Sequence, residues 1–299
     1  MRGWRVLAPL VLVALLGAGC GADGSPSGPA GASAPAGGPS RVVSLSPTAT
    51  ETLFAIGAGE RVVAVDDQSD HPATAPRTRL SGHRPNAEAV VAWRPDLVVV
   101  AGNDNRIVDA LRALDVPVLL QPPAGDLGEA YAQILALGEA TGQAREAAGL
   151  VRDMRARIGR LVASVPRDGP GLTFFHELTP ELYTASSATF IGQVYRLAGL
   201  RNVADRADRA GSGYPKLSAE YLIEADPDLI FLADAQCCRQ SPATVAARPG
   251  WDAVAAVRGG GVIALDEDVA SRWGPRVVDF LAAVVSAVRD RPAAPVGAR

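Results

Sequence analysis

Apolar residues recur along this chain at two different periods, and the changes of period mark out its parts. Between residues 143 and 165, Ala147, Leu150, Val151, Met154, Ile158, Leu161, Val162 and Val165 keep an i, i+3, i+4, i+7 spacing. Arg145, Glu146, Arg152, Asp153, Arg155, Arg157 and Arg160 fill the other faces, and Pro166 stops the run because proline cannot continue a helix interior. The spacing predicts one amphipathic helix, roughly 35 Å long at about 1.5 Å per residue. Periodicity alone fits either a long helix inside one domain or a strut between two lobes.

Solidly apolar runs of strand length lie on both sides of it. They fall at 41–46, 61–65, 97–101 and 116–120 before the helix, and at 172–175, 229–233 and 261–265 after it. Helical patterns alternate with them at 87–93, 107–114 and 127–140, then at 189–200, 219–225 and 277–289. A further helix is expected over 244–257, interrupted near Pro249-Gly250. Thr48 and Glu51 read as a T-x-x-E capping box that opens a short helix ending at Gly57. Alternating strands and helices with fully apolar strands predict parallel sheets covered on both faces.

An internal repeat decides between the two readings of the long helix. NAEAVVAWRPDLVVVA, from Asn86 to Ala101, matches SAEYLIEADPDLIFLA, from Ser218 to Ala233, without a gap and at a constant offset of 132 positions. Helix cap, glutamate, Pro-Asp turn and strand coincide. One β/α architecture therefore occurs twice, and the helix joins two lobes.

Composition narrows the function classes. The 299 residues suffice for two modest cores, and 48% apolar with 20% charged residues is globular. A formal net charge of −3 argues against a nucleic-acid partner, which needs a basic face. The start, 1–20, reads as a targeting segment: Arg2 and Arg5, an apolar run too short to span a bilayer, then Leu-Gly-Ala-Gly before Cys20. Small residues before that cysteine resemble a bacterial lipobox, making Cys20 the lipidation site. Residues 21–40, nearly all Gly, Ala, Ser and Pro, are expected to form a flexible tether.

The motif VSLSPTATETLFAIG from Val43 to Gly57, the Ser-Asp-His-Pro of residues 69–72 and the twin Ala-Glu…Pro-Asp-Leu segments resemble the helical-backbone substrate-binding proteins of ABC importers. The resemblance runs from about residue 41 to 291. It implies two Rossmann-like α/β lobes with parallel sheets joined by one long backbone helix, the class III periplasmic-binding-protein architecture. The lobes would be 41–142 and 166–299, with 143–165 as the linker helix. It implies a monomeric receptor on the extracytoplasmic face of the cell membrane, lipid-anchored, with no intrinsic cofactor and no catalysis. Its partners would be an ABC permease with its ATPase. The ligand would be a metal chelate, with cobalamin or another corrinoid favoured and a ferric siderophore or haem as the alternative. Glu88 and Glu220 match the glutamates that each lobe presents to permease arginines. Glu51, already explained as a cap partner, is set aside.

Ligands of open α/β sheets sit beyond the carboxyl ends of strands. By that rule Gln68, His71 and His83 are candidates in the first lobe. In the second lobe the candidates are His176, Tyr183, Tyr214, Cys237, Cys238, Asp268, Arg272 and Trp273. By the resemblance, Gln68, Tyr183, Tyr214, Asp268 and Arg272 fall at or near ligand-contacting positions. Aromatic rings and a guanidinium suit a large flat chelate with amide or carboxylate edges. Haem would need an axial ligand from a histidine or tyrosine. The adjacent Cys237 and Cys238 either close into a disulfide ring or stay as two thiols; no Cys/His zinc spacing accompanies them. An enzyme built on a metallocofactor is the remote alternative, and no G-x-S-x-G, P-loop or H-E-x-x-H motif supports it.

Overall fold

In the computed structural model, which describes residues 38–166 and 171–290, the strand-length runs form two parallel sheets of four strands each. Cys20, the targeting segment and nearly all of the expected tether lie outside the described residues. The first sheet contains β1 (Val42–Leu45), β2 (Val62–Val65), β3 (Leu97–Val100) and β4 (Val118–Leu120), in the order β2-β1-β3-β4. The second contains β5 (Thr173–Glu177), β6 (Arg201–Asn202), β7 (Leu229–Leu232) and β8 (Val262–Ala264), in the order β6-β5-β7-β8. The two orders are the same.

The repeat extends to the register of the central strands. Val42 faces Leu97 and Leu45 faces Val100 in one sheet; Phe174 faces Leu229 and Glu177 faces Leu232 in the other. All four pairs keep the 132-residue offset. The Pro-Asp turn explains itself at the same place. Asp96 accepts the Arg41 amide at 2.8 Å, and Asp228 accepts the Thr173 amide at 2.8 Å. In each lobe this carboxylate ties the turn before one central strand to the head of the other.

Strand alternation sends side chains to two faces. In the first lobe Val43, Leu45, Val98 and Val100 pack outward with Val90 of α2 (Ala87–Val91) and Ile107 and Leu111 of α3 (Ile107–Arg112). Val42, Leu97 and Val99 point inward, as do Phe174, Leu229 and Phe231 of the second lobe. The inward faces share one apolar core. It runs through Leu53 of α1 (Pro47–Ala55), Ile134 of α4 (Leu127–Thr141), the long helix α5 (Ala144–Ala163) and Phe280 and Leu281 of α11 (Val277–Arg289). Ala147, Val151, Met154 and Ile158 form the buried stripe of α5. The long helix is therefore the middle of a continuous core, not a bare spacer. At its start the chain turns sharply at Gly142, with φ of 71°. There α4 and α5 touch so closely that a Cβ on Gly138 would lie 2.4 Å from that of Ala147.

One local expectation needs correction, one break falls where it is expected, and two short elements leave no pattern in the sequence. The first helix is capped by Ser46, whose hydroxyl accepts the Ala49 amide at 3.3 Å, and starts at Pro47. Proline is preorganised for the first helical position, so the cap precedes it and no Thr48–Glu51 box forms. The helix expected over 244–257 is broken into α8 (Pro242–Ala246), a 3₁₀ turn (Trp251–Ala253) and α9 (Ala255–Arg258), because Gly250 adopts φ of 78°. The two-residue β6 is too short to leave a pattern. The five-residue α10 (Glu267–Ser271) is polar enough to read as loop. The remaining helices, α6 (Phe190–Leu197) and α7 (Ala219–Ala225), fall inside their expected ranges.

Because Met154 is 2% exposed in a core shared by both lobes, Met154→Ala should lower stability by roughly 2–5 kcal/mol. Chemical denaturation followed by tryptophan fluorescence, with Trp93 in the first lobe and Trp251 and Trp273 in the second, and by far-ultraviolet dichroism should still give one transition. Two separable transitions would contradict the shared core.

Candidate functional site

The carboxyl ends of the two sheets meet, and the meeting is built from a few buried polar links. In the first lobe the Thr50 hydroxyl donates to Ser44 Oγ at 2.9 Å and lies 3.0 Å from Ser69 Oγ. Ser69 in turn donates to Asp66, which also accepts the Gln68 amide, both at 2.8 Å. Burial pushes the Asp66 carboxyl above its usual range, against these hydrogen bonds. The links hold the loop after β2, carrying Gln68, Asp70 and His71, against β1 and α1. In the second lobe Asp266 caps α10 by accepting the Val269 amide at 3.1 Å, which sets Arg272 at the end of that helix.

Arg272 then crosses to the other lobe. Its Nη1 donates to Glu51 Oε1 at 2.7 Å, and its Nη2 donates to the Gln68 carbonyl at 3.0 Å and to the Asp268 carboxylate. Asp70 stands at 3.4 Å. Arg276 holds the same glutamate with Nε to Oε2 at 3.0 Å and Nη2 to Oε1 at 2.6 Å. Glu51 is 3% exposed and Arg272 is 8% exposed. Thus Glu51, set aside in the sequence as a cap partner, is an anchor between lobes, and Arg272, expected to face a ligand, is occupied by protein acceptors. Glu51, Asp70, Asp266 and Arg276 were all missed. The available signal was a carboxylate inside an otherwise small and apolar helix. Nearby, Trp273 is half-buried and donates to Gln133 of α4 at 2.9 Å, a second link between lobes.

The other candidates divide by exposure. Gln68, His71 and His83 are exposed in the first lobe. His71 lines a cavity of about 320 Å³ with Glu51, Phe54, Ala55, Pro72, Pro275 and Arg276. Tyr183 and Tyr214 are 45% and 51% exposed and lie on facing segments of the second lobe, where the Thr184 amide donates to the Pro215 carbonyl at 3.1 Å. Cys237 and Cys238 are exposed free thiols. Their loop is held to α10 by Glu267 Oε1, which accepts the Gln236 and Cys237 amides, both at 2.6 Å. Partial desolvation, with Cys238 and the Glu267 carboxylate beside it, pushes the Cys237 thiol up to about 12. Among the described residues no group of three or more His, Cys, Asp or Glu is arranged to hold a metal ion. Glu88 and Glu220 are exposed in the first turns of α2 and α7, behind the caps Asn86 and Ser218. Neither makes an ion pair among the described residues. Backbone hydrogen bonding and the Ser218 hydroxyl keep Glu220 below the usual carboxylate range.

His176 departs from its expected place. It lies on the inward face of β5, fully buried, with Nδ1 2.7 Å from the Tyr195 hydroxyl and Phe280 beside it. Burial pushes it down to about 3, so it is neutral. The next residue, Glu177, points to the opposite face, where Arg248 grips it with two bonds of 2.7 and 2.5 Å. Asp234, at the end of β7, is buried beside Glu177, and neither of its carboxylate oxygens has a donor. Of the two carboxyl groups only Glu177 is bonded to the guanidinium. Burial and the Glu177 charge push Asp234 up to about 7, and with that proton retained it can donate to Glu177.

Comparison with known proteins adds four findings. Residues 42–269 match the sequence model of a family described as periplasmic binding protein. A cobalamin-binding protein of Halobacterium salinarum is 29% identical over 259 residues, 84% of this chain and 70% of the relative. Among solved structures, the periplasmic vitamin B12 binding protein of Vibrio cholerae has a TM-score of 0.71 at 26% identity, covering 84% of this chain and 97% of that one. A periplasmic haem binding protein of Pseudomonas aeruginosa has a TM-score of 0.72 at 26% identity, covering 85% and 94%.

The two buried titrating groups act on stability in opposite directions. Asp234 holds its proton to about pH 7 when folded, against 3.8 for its ordinary value. Folding therefore takes up a proton in that interval, and stability falls as pH rises across it. His176 resists protonation down to about 3, against 6.5, so its contribution is present above 6.5 and lost as pH falls towards 3. Asp234→Asn should gain stability relative to the parent as pH rises from about 4 to 7, and His176→Phe should gain as pH falls over the acid range. Denaturation midpoints across pH check both. Profiles parallel to the parent's would show that neither group titrates as described.

Proposed function

The chain belongs to the periplasmic binding protein family, and from that membership we propose that it is the lipid-anchored, extracytoplasmic receptor of an ABC importer. It captures a metal chelate between its lobes, a corrinoid being favoured, and delivers it to the permease and its ATPase. What carries the reading is the pairing of lobes. Two sheets share one strand order and one register, and segments beyond their carboxyl ends meet where Arg272 bonds Glu51 and the Gln68 carbonyl, the place where open α/β sheets hold ligands. The corrinoid preference is supported by the names of relatives that cover most of the chain. Cys20 as the lipidated residue, with 21–40 as tether, is supported by the small residues before that cysteine. Among the described residues no helix is long and apolar enough to cross a membrane. The protein works by differential affinity, without a chemical step.

Gln68, His71, His83, Tyr183, Tyr214, Cys237, Cys238, Asp268, Arg272 and Trp273 are the proposed rim and floor of the ligand site. The exposed tyrosines offer ring faces to a macrocycle, and the shared core through α5 limits how far the lobes part. Glu88 and Glu220 are the proposed docking points. They occupy repeat-equivalent positions, stay exposed and make no ion pair among the described residues.

Titration of the purified protein with cyanocobalamin, followed by tryptophan fluorescence, should give saturable binding; no response to cyanocobalamin, ferric siderophores or haemin would refute the receptor. Tyr214→Ala should weaken binding by about 1–3 kcal/mol. Replacing both Glu88 and Glu220 with alanine should leave ligand affinity intact and abolish uptake by cells. Lost affinity in that double variant would move the glutamates from docking to ligand binding.

A further inference from the structure

Six charged side chains meet between the lobes. Glu51 and Asp70 come from the first, and Asp266, Asp268, Arg272 and Arg276 come from the second. Four carboxylates thus surround two guanidinium groups, and neither guanidinium is free. Arg276 is gripped by both oxygens of Glu51, and both terminal nitrogens of Arg272 are used by Glu51, the Gln68 carbonyl and Asp268. Glu51 makes this arrangement possible, because at 3% exposure its charge is held almost entirely by the two arginines. An anionic ligand group approaching here meets a surplus of negative charge. To take Arg272 for itself it would have to strip a buried carboxylate of a partner, which is far more unfavourable than losing a surface pair. A neutral or cationic ligand meets no such opposition, and like-charge juxtaposition is an effective means of rejection.

We propose that Glu51 is the charge-selectivity residue of the cleft: by keeping Arg272 and Arg276 engaged inside the protein, it biases the site towards net-neutral or cationic metal chelates and against polyanionic ones. This rests on the receptor reading above and adds the ligand's charge class to it. Glu51 acts through the two arginines and touches no ligand itself.

The test is calorimetric titration of the full-length protein at low salt with four probes of different charge. These are neutral cyanocobalamin, a cationic ferric trihydroxamate, haemin with its two carboxylates, and a trianionic ferric tricatecholate. The parent should bind one of the first two more tightly than either anion. Glu51→Gln releases positive charge and should shift the ratio of anionic to neutral affinity by about tenfold towards the anions. Asp70→Asn, at the exposed edge of the same network, should shift it the same way by less, and it decides the matter if thermal melting shows that Glu51→Gln fails to fold. Tightest binding of an anionic probe by the parent, or an unchanged ratio in the folded variants, would overturn the proposal. Binding of none of the four removes the receptor reading and this inference with it.

Discussion

One apolar stripe holds the molecule together. Ala147, Val151, Met154 and Ile158 of α5 lie in a core that reaches the inward faces of both sheets. A helix that merely spanned two lobes would need apolar contacts only at its ends. This one is covered along its length by α4 on one side and α11 on the other, so the sheets cannot separate without exposing it. Continuous burial of this kind is rigid because interiors are close-packed and deform little. The packing that stabilises the fold therefore also restricts the movement available to a cleft at the sheets' carboxyl ends.

The ionic cluster above that core has a different physical character. Glu51 and Arg272 are buried charges and Arg276 is half-buried, and taking them out of water has a cost that only good geometry offsets. The geometry is good: Glu51 accepts three N–H donors within 3.0 Å. Against well-packed apolar residues such a group contributes little stability, but removing one partner costs about 3–5 kcal/mol. Its value lies in fixing which loops face each other. The loop after β2 and the end of α10 meet in one register because Arg272 reaches both Glu51 and the Gln68 carbonyl.

The sequence shows elements whose cause is local and conceals those whose cause is distant. Fully apolar runs become strands, and the long helix follows its period to within two residues at its end, because burial on one stripe is a local pattern. The Pro-Asp repeat was visible, yet its reason was not, since Asp96 and Asp228 act on amides 55 positions away. Glu51 failed for the same cause. A capping-box rule looks three residues back, whereas the carboxylate's partners lie 221 and 225 positions ahead. His176 sits in a strand whose residues are almost all inside, so its polarity suggested a pocket. Its partner, Tyr195, comes from another element altogether.

The two lobes diverge most where their backbone agrees best. Ser44 and Leu45 occupy the β1 positions that His176 and Glu177 hold in β5, with the same register to the neighbouring central strand. The first lobe thus fills this place with a small hydroxyl and an apolar side chain. The second fills it with a neutral histidine on one face and, on the other, a carboxylate gripped by Arg248 beside Asp234, whose carboxyl is pushed up to about 7. The longer connection after β7 supplies that arginine, just beyond α8, which the first lobe lacks. Asp234 also begins the loop that carries Cys237 and Cys238. The second lobe's interior chemistry is therefore tied directly to the shape of its cleft edge, while the first lobe shapes its edge through the uncharged Ser44–Thr50–Ser69 links. A common frame with different polar fillings thus makes two lobes of one backbone design chemically unlike.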